Sequence, residues 1–150
     1  MISSRFVQMI EAHSDQIADR VLRRLHEDVR APHMAGLPET ELRDACQRIL
    51  KNLGHWLTAT SEVEIARHYE ERGRVRAREG VPLHEAVWFL ILLKEKMLSY
   101  IRDQGLAQSA VDLYAEEELE HQIGGFFDSA TYHLIRGYEV SSALSAKAGA

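Results

Sequence analysis

Residues 79–98 read EGVPLHEAVWFLILLKEKML. Gly80 is placed to end one helix in the left-handed conformation. Pro82 can start the next, because the N–H that proline lacks has no partner in a first turn. Ala86 to Leu93 are all apolar. Eight such residues in a row cover every face of a helix, the pattern of a helix buried all round. The run is far short of the ~20 residues that cross a bilayer. The expectation is a buried helix over about 83–102, with Trp88 and Phe89 as core side chains.

The pattern stays helical on both sides. Upstream, Ser61 with Glu64 fits a capping box, and a thin stripe of Ile65, Tyr69 and Val75 (with Ala66 and Arg72) predicts a surface-lying helix. Before it, Leu42, Cys46, Ile49, Leu50, Leu53 and Leu57 form the stripe of another helix, with Pro38 in its first turn. Residues 30–39, RAPHMAGLPE, read as a loop. A first helix over 4–29, capped by Ser3 or Ser4, carries Phe6, Ile10, His13, Ile17, Val21, Leu25 and Val29 on one face and bends near Ser14. Downstream of Gly105, a long last helix over 108–144 steps by fours and threes through Ala115, Leu119, Ile123, Phe126, Ala130, His133 and Gly137, the seam of paired helices. Gly124 and Gly125 cost ~1 kcal/mol each in mid-helix and call for a close helix approach or a kink. The tail 145–150 is expected to fray. The chain reads as one all-α domain over 1–150. It has about five main helices, a buried penultimate helix and a long last one.

Composition fits that reading: 150 residues, 45% apolar and 27% charged, are those of one soluble globular domain. A net charge of −5 disfavours non-specific binding to nucleic acid or to anionic membranes. The single cysteine, Cys46, allows no intrachain disulfide and no Cys-rich zinc site, and reads as a small core residue. The N-terminus lacks the apolar run of a secretory signal. The expected location is the cytoplasm.

Motifs of catalysis are scarce. There is no glycine-rich phosphate loop and no nucleophile turn. His84-Glu85 begins an H-E-x-x-H zinc motif, but Trp88 replaces the second histidine. Glu118 and His121 make one E-x-x-H, where a di-iron bundle needs two. A metal-dependent helical-bundle oxidoreductase built on them is the second alternative. The first is a haem-binding gas or redox sensor. The chain is globin-sized, haem needs one axial histidine facing an apolar pocket, and His68 stands beside Tyr69 on the helix before the buried one. Trp56, Tyr69 and Trp88 are candidate pocket residues. Arg67, Arg72, Arg74, Arg76 and Arg78 complement the dipole at a helix C-terminus.

Residues 69–98, YEERGRVRAREGVPLHEAVWFLILLKEKML, resemble the N-terminal sensory domain of RsbR-type stressosome proteins, the RsbT co-antagonist N-terminal domain. Gly73, Arg76, Ala77, Gly80, Pro82, Leu83 and Glu85 match its G-x-x-R-A-x-x-G-x-P-L-x-E pattern. Residues 126–139, FFDSATYHLIRGYE, are similar to the last helix of stand-alone or kinase-linked relatives. The resemblance implies a globin-like fold without haem, dimeric, acting as a signal-input module. Relatives join this domain to an output domain; here nothing follows residue 150, so the output is expected on a separate chain or not at all. No ligand-binding residue carries over. The resulting expectation is a non-catalytic, homodimeric regulatory domain with no cofactor. Leu119, Ile123, Phe126, Phe127 and Ala130 would line the interface, because a helix of about 35 residues spans ~50 Å, more than so small a domain covers. The turn at Arg76, Gly80, Pro82 and Leu83 would set the angle between its two helices.

Overall fold

A computed structural model describes residues 2–58, 62–105 and 107–149. The described residues form helices and no strand. They are α1 (Ile2–Ala12), α2 (Ser14–Glu27), α3 (Pro32–Ala35), α4 (Glu39–Leu50), α5 (Leu53–Leu57), α6 (Glu62–Arg78), α7 (Leu83–Asp103) and α8 (Ala110–Ala148). The fold is all-α and globin-like. Ser61 and the Ser3 side chain, read as caps, lie outside what is described, whereas Ser4 sits within α1.

The first stripe is continuous but the helix is not. His13 leaves helical geometry (φ −112°, ψ 24°), and its ring Nδ1–H donates to the Met9 carbonyl at 2.8 Å. Phe6, Ile10, Ile17, Val21 and Leu25 share one core, while Val29, beyond the end of α2, is 91% exposed. The expected loop at 30–39 holds a short helix, α3, with Pro32 at its first turn. The second stripe is likewise split, into α4 and α5, at Lys51 and Asn52. Pro38 takes the N-cap position of α4 rather than its first turn.

Two larger expectations are corrected. First, α6 is no surface helix. It packs along α8, and Ile65, Tyr69, Gly73 and Arg76 are buried in that contact and the adjoining core. The crossing is made by Gly73 and Gly137: a Cβ on Gly73 would overlap the Leu134 carbonyl oxygen, and one on Gly137 that of Glu70. Gly124 and Gly125, where a close approach or a kink was expected, face open space. Second, α7 is central but not buried all round. Phe89, Leu90, Leu92 and Leu93 enter the core, yet Ile91 is 44% exposed and Val87 and Trp88 are half-buried. The last helix continues to Ala148, with Gly149 as its cap. Among the described residues no helix is long and apolar enough to cross a membrane.

Candidate functional site

The G-x-x-R-A-x-x-G-x-P-L-x-E segment forms the turn from α6 to α7. Gly80 adopts φ +76°, its N–H donates to the Ala77 carbonyl at 3.1 Å, and the Val81 N–H donates to that of Arg76 at 3.1 Å. This paired pattern closes the helix and satisfies its last carbonyls. Tyr138 of α8 donates its hydroxyl to the Val81 carbonyl at 2.5 Å, tying the turn to the last helix. The Arg76 side chain, 4% exposed, donates to Glu41 at 2.7 Å and Glu79 at 2.8 Å, which fastens α4 to the turn. Glu79 is pushed above the ordinary carboxylate range by burial and by the neighbouring Glu41 carboxyl. Glu85 accepts the His33 N–H at 2.8 Å, the Met34 N–H at 3.1 Å and the His33 ring N–H at 2.8 Å, capping α3. Every one of these contacts ends on the protein itself.

A cleft lies between α4 and α6, floored by α7 and α8. Met34, Ile49, Tyr69, Phe89, Leu90 and Leu134 line its apolar part, and Arg48, Arg72 and His68 its mouth. Its enclosed volume is ≈ 30 Å³, room for about one or two waters. Tyr69, 3% exposed, fills it from α6. Trp56 packs on His68 (centroids 5.5 Å apart), Tyr69 (6.1 Å) and Phe126 (5.4 Å), and its indole N–H donates to the Arg48 carbonyl at 2.9 Å. Trp56 and Tyr69 thus pack together, although Trp56 does not itself line the cleft. Trp88 does not join them. It donates to Asp28 at 2.9 Å and lies under Arg30, 4.4 Å from the ring centroid, on another face.

His68 is half-buried beside this cleft, and burial together with the Arg48 and Arg72 charges holds its pKa below the usual imidazole range. A lowered pKa suits a metal ligand, but the space does not suit a porphyrin. Ligand pockets run to roughly 300–1,000 Å³, and the side chains present leave a tenth of that or less. The residues do not fit a haem in this conformation.

Leu119, Ile123, Phe126, Phe127 and Ala130, read from the sequence as an interface, are all within 5% of complete burial inside this chain's own core. They offer no surface to a second copy. Glu118 and His121 lie exposed on α8, and among the described residues no group of three or more His, Cys, Asp or Glu side chains could hold a metal ion. Cys46 is fully buried, and burial raises its thiol pKa to about 12, so it is inert at neutral pH.

Sequence reading missed a second polar cluster, on the α6–α8 contact. His133, 7% exposed, donates from Nε2 to Glu62 at 2.8 Å. Ser129 donates to the same carboxylate oxygen at 2.6 Å. The His133 Nδ1 is buried without a hydrogen-bond partner, 3.6 Å from Glu70. The only local signal was a histidine within an apolar stripe.

An all-α chain with a buried penultimate helix, a long last helix and a cleft at the level of the helix before them belongs to the class of globin-like domains. The globin domain of E. coli DosC, in its ferrous form, matches with a TM-score of 0.71 and 19% identity over 90% of this chain and 88% of that one. No curated protein sequence matches. The model of the RsbT co-antagonist protein rsbRD N-terminal domain matches residues 15–147, and the chain belongs to that family. It is a globin-like regulatory domain.

Proposed function

We propose that this domain is a haem-free, non-catalytic signal-input module that works in the cytoplasm as a homodimer and passes its signal to a signalling partner. The observation that carries the reading is the cleft itself. It is bordered by His68, the histidine a haem would need, yet with Tyr69, Phe89 and Leu90 in its lining its volume is only ≈ 30 Å³. The polar residues of the family motif are spent on tying helices together, which suits a module that transmits small helix shifts better than one that turns over a substrate. The net charge of −5 argues against nucleic acid as a partner.

On this reading the second copy would dock on the outward face of α7 and α8 rather than on the residues first read from the seam. Ile91 is 44% exposed at the centre of the apolar run. Val87 is half-buried beside it, in a surface groove also lined by Lys94 of α7 and by Asp128 and Thr131 of α8. A Cβ at Gly124, one heptad before Thr131, would meet nothing within 4 Å, which leaves room for a neighbouring helix.

A visible absorbance spectrum of the purified protein, repeated after addition of haemin, tests the haem-free reading. The expected spectrum shows only the broad absorption of free haemin. A sharp Soret band that disappears in His68→Ala would replace this reading with a haem sensor.

A further inference from the structure

The mouth of the α4–α6 cleft carries hydrogen-bond donors that the fold leaves unused. Arg48 reaches it from α4 and Arg72 from α6. Among the described residues neither guanidinium has an ion-pair or hydrogen-bond partner. Arg76, one turn on from Arg72, differs: it is held by Glu41 at 2.7 Å and Glu79 at 2.8 Å. The Tyr69 hydroxyl belongs to a side chain 97% buried, since its exposure is 3%. It too lacks a hydrogen-bond partner among the described residues, and the charges that act on it are those of Arg72 and Arg48. The same two charges act on His68, opposed by that of Glu64. Four donor-bearing groups from two helices therefore converge on one small space.

Arg48 is exposed and Arg72 half-buried, and a half-buried cation beside other cations favours a counter-charge. Burial and the neighbouring Arg76 and Arg48 charges lower the pKa of Arg72, against the opposing pull of the Glu41 and Glu79 carboxylates. Guanidinium groups present planar forks of N–H donors that match the oxygens of a carboxylate or phosphate. Two acidic residues, Glu41 and Asp44, line the adjoining surface groove. Glu41 is engaged by Arg76, and Asp44 is exposed and makes no ion pair.

We propose that Arg48, Arg72 and the Tyr69 hydroxyl form a binding site for an oxyanion, a carboxylate or phosphate group, at the mouth of the α4–α6 cleft. The ≈ 30 Å³ behind it limits what enters to the anionic group or one small substituent, so the rest of the ligand lies in the groove along α4. Occupancy neutralises Arg48 and Arg72 and draws α4 towards α6, which is how a ligand would reach the α6–α8 contact.

The inference rests on the haem-free reading of the same cleft, and the two fail separately: haemin binding is read by its Soret band, anion binding by titration. Inorganic phosphate and acetate are titrated at constant ionic strength, with the His68 ring resonances followed by NMR. A saturable shift with either anion is expected. Arg72→Gln and Tyr69→Phe should each weaken binding about tenfold or more, and Asp44→Asn should tighten it. A response to phosphate alone assigns a phosphate-bearing ligand, and one to acetate alone a carboxylate. Circular dichroism confirms that the variants fold; Tyr69→Phe keeps the ring that packs the cleft. No saturable shift with either anion, or shifts that persist unchanged in both Arg72→Gln and Tyr69→Phe, would overturn the proposal.

Discussion

Glu85 sits in the first turn of α7 at 2% exposure, with three N–H donors of His33 and Met34 around its carboxylate. Burial alone would raise its pKa, but the N–H of Met34 and the ring and backbone N–H of His33 outweigh it and hold the group below its ordinary 4.5. A depressed folded-state pKa contributes stability that is present above the unfolded value and lost as pH falls through the folded one. Thermal unfolding should therefore show a Tm that drops below about pH 4.5, with a shallower acid limb in Glu85→Gln. Glu85→Ala removes the acceptor from two backbone donors at the start of α3 and should cost about 3 kcal/mol at neutral pH, read from urea unfolding. The contrast among motif residues explains what the sequence disclosed. Gly80 and Pro82 act on their immediate neighbours, so local order was enough to place them. Arg76 and Glu85 act on partners 35 and 52 positions away, and nothing local announces such a partner. Arg48 and Arg72 were hidden for the same reason, since their significance lies in converging from separate helices.

The contact between α6 and α8 depends on what two side chains lack. At the crossing, the Gly73 and Gly137 positions hold backbone against backbone, and a methyl on Gly137 would overlap the Glu70 carbonyl. Gly137→Ala should destabilise the domain by ~3 kcal/mol or more, as overpacking forces the helices apart. Gly125→Ala, with open space around it, should stabilise by up to ~1 kcal/mol through helix propensity alone. Paired melting curves check both signs; equal shifts for the two variants would remove the crossing as a structural pivot. This element was misread as surface-lying because counting apolar residues ignores glycine and arginine, and those supply two of its buried positions, Gly73 and Arg76. The long helix, by contrast, was legible over most of its length, because Leu119, Ile123, Phe126, Ala130 and His133 repeat at helical spacing. That repeat showed which face is buried, but not whether the burial lies within one chain or between two.

At the scale of the molecule, that distinction decides how two copies could meet. The face carrying Phe126 and Phe127 is consumed by the chain's own core, with exposures of 5% and 3%. Phe126→Asp would thus place a charge in that core and unfold the domain, and a loss of mass in light scattering would say nothing about an interface. Ile91 separates the two effects. It projects outward from α7 at 44% exposure, so Ile91→Asp spares the core and alters only the face shared with α8. The wild-type protein is expected to scatter as a dimer, and Ile91→Asp as a monomer with an unchanged helical circular-dichroism spectrum and a Tm lowered only by the loss of assembly. A wild-type protein that is monomeric at all concentrations would remove the homodimer from the proposed function. A dimer untouched by Ile91→Asp would move the interface to the other exposed apolar side chains of α8, Val111, Leu113 and Tyr114 near its start, Tyr132 in its middle, and Val140 and Leu144 near its end. The α7–α8 face is favoured over these because it also connects to the cleft. Phe89 and Leu90, which floor the cleft, immediately precede Ile91 on the same helix, so a shift of α7 caused by a ligand reaches a partner helix without passing through any loop.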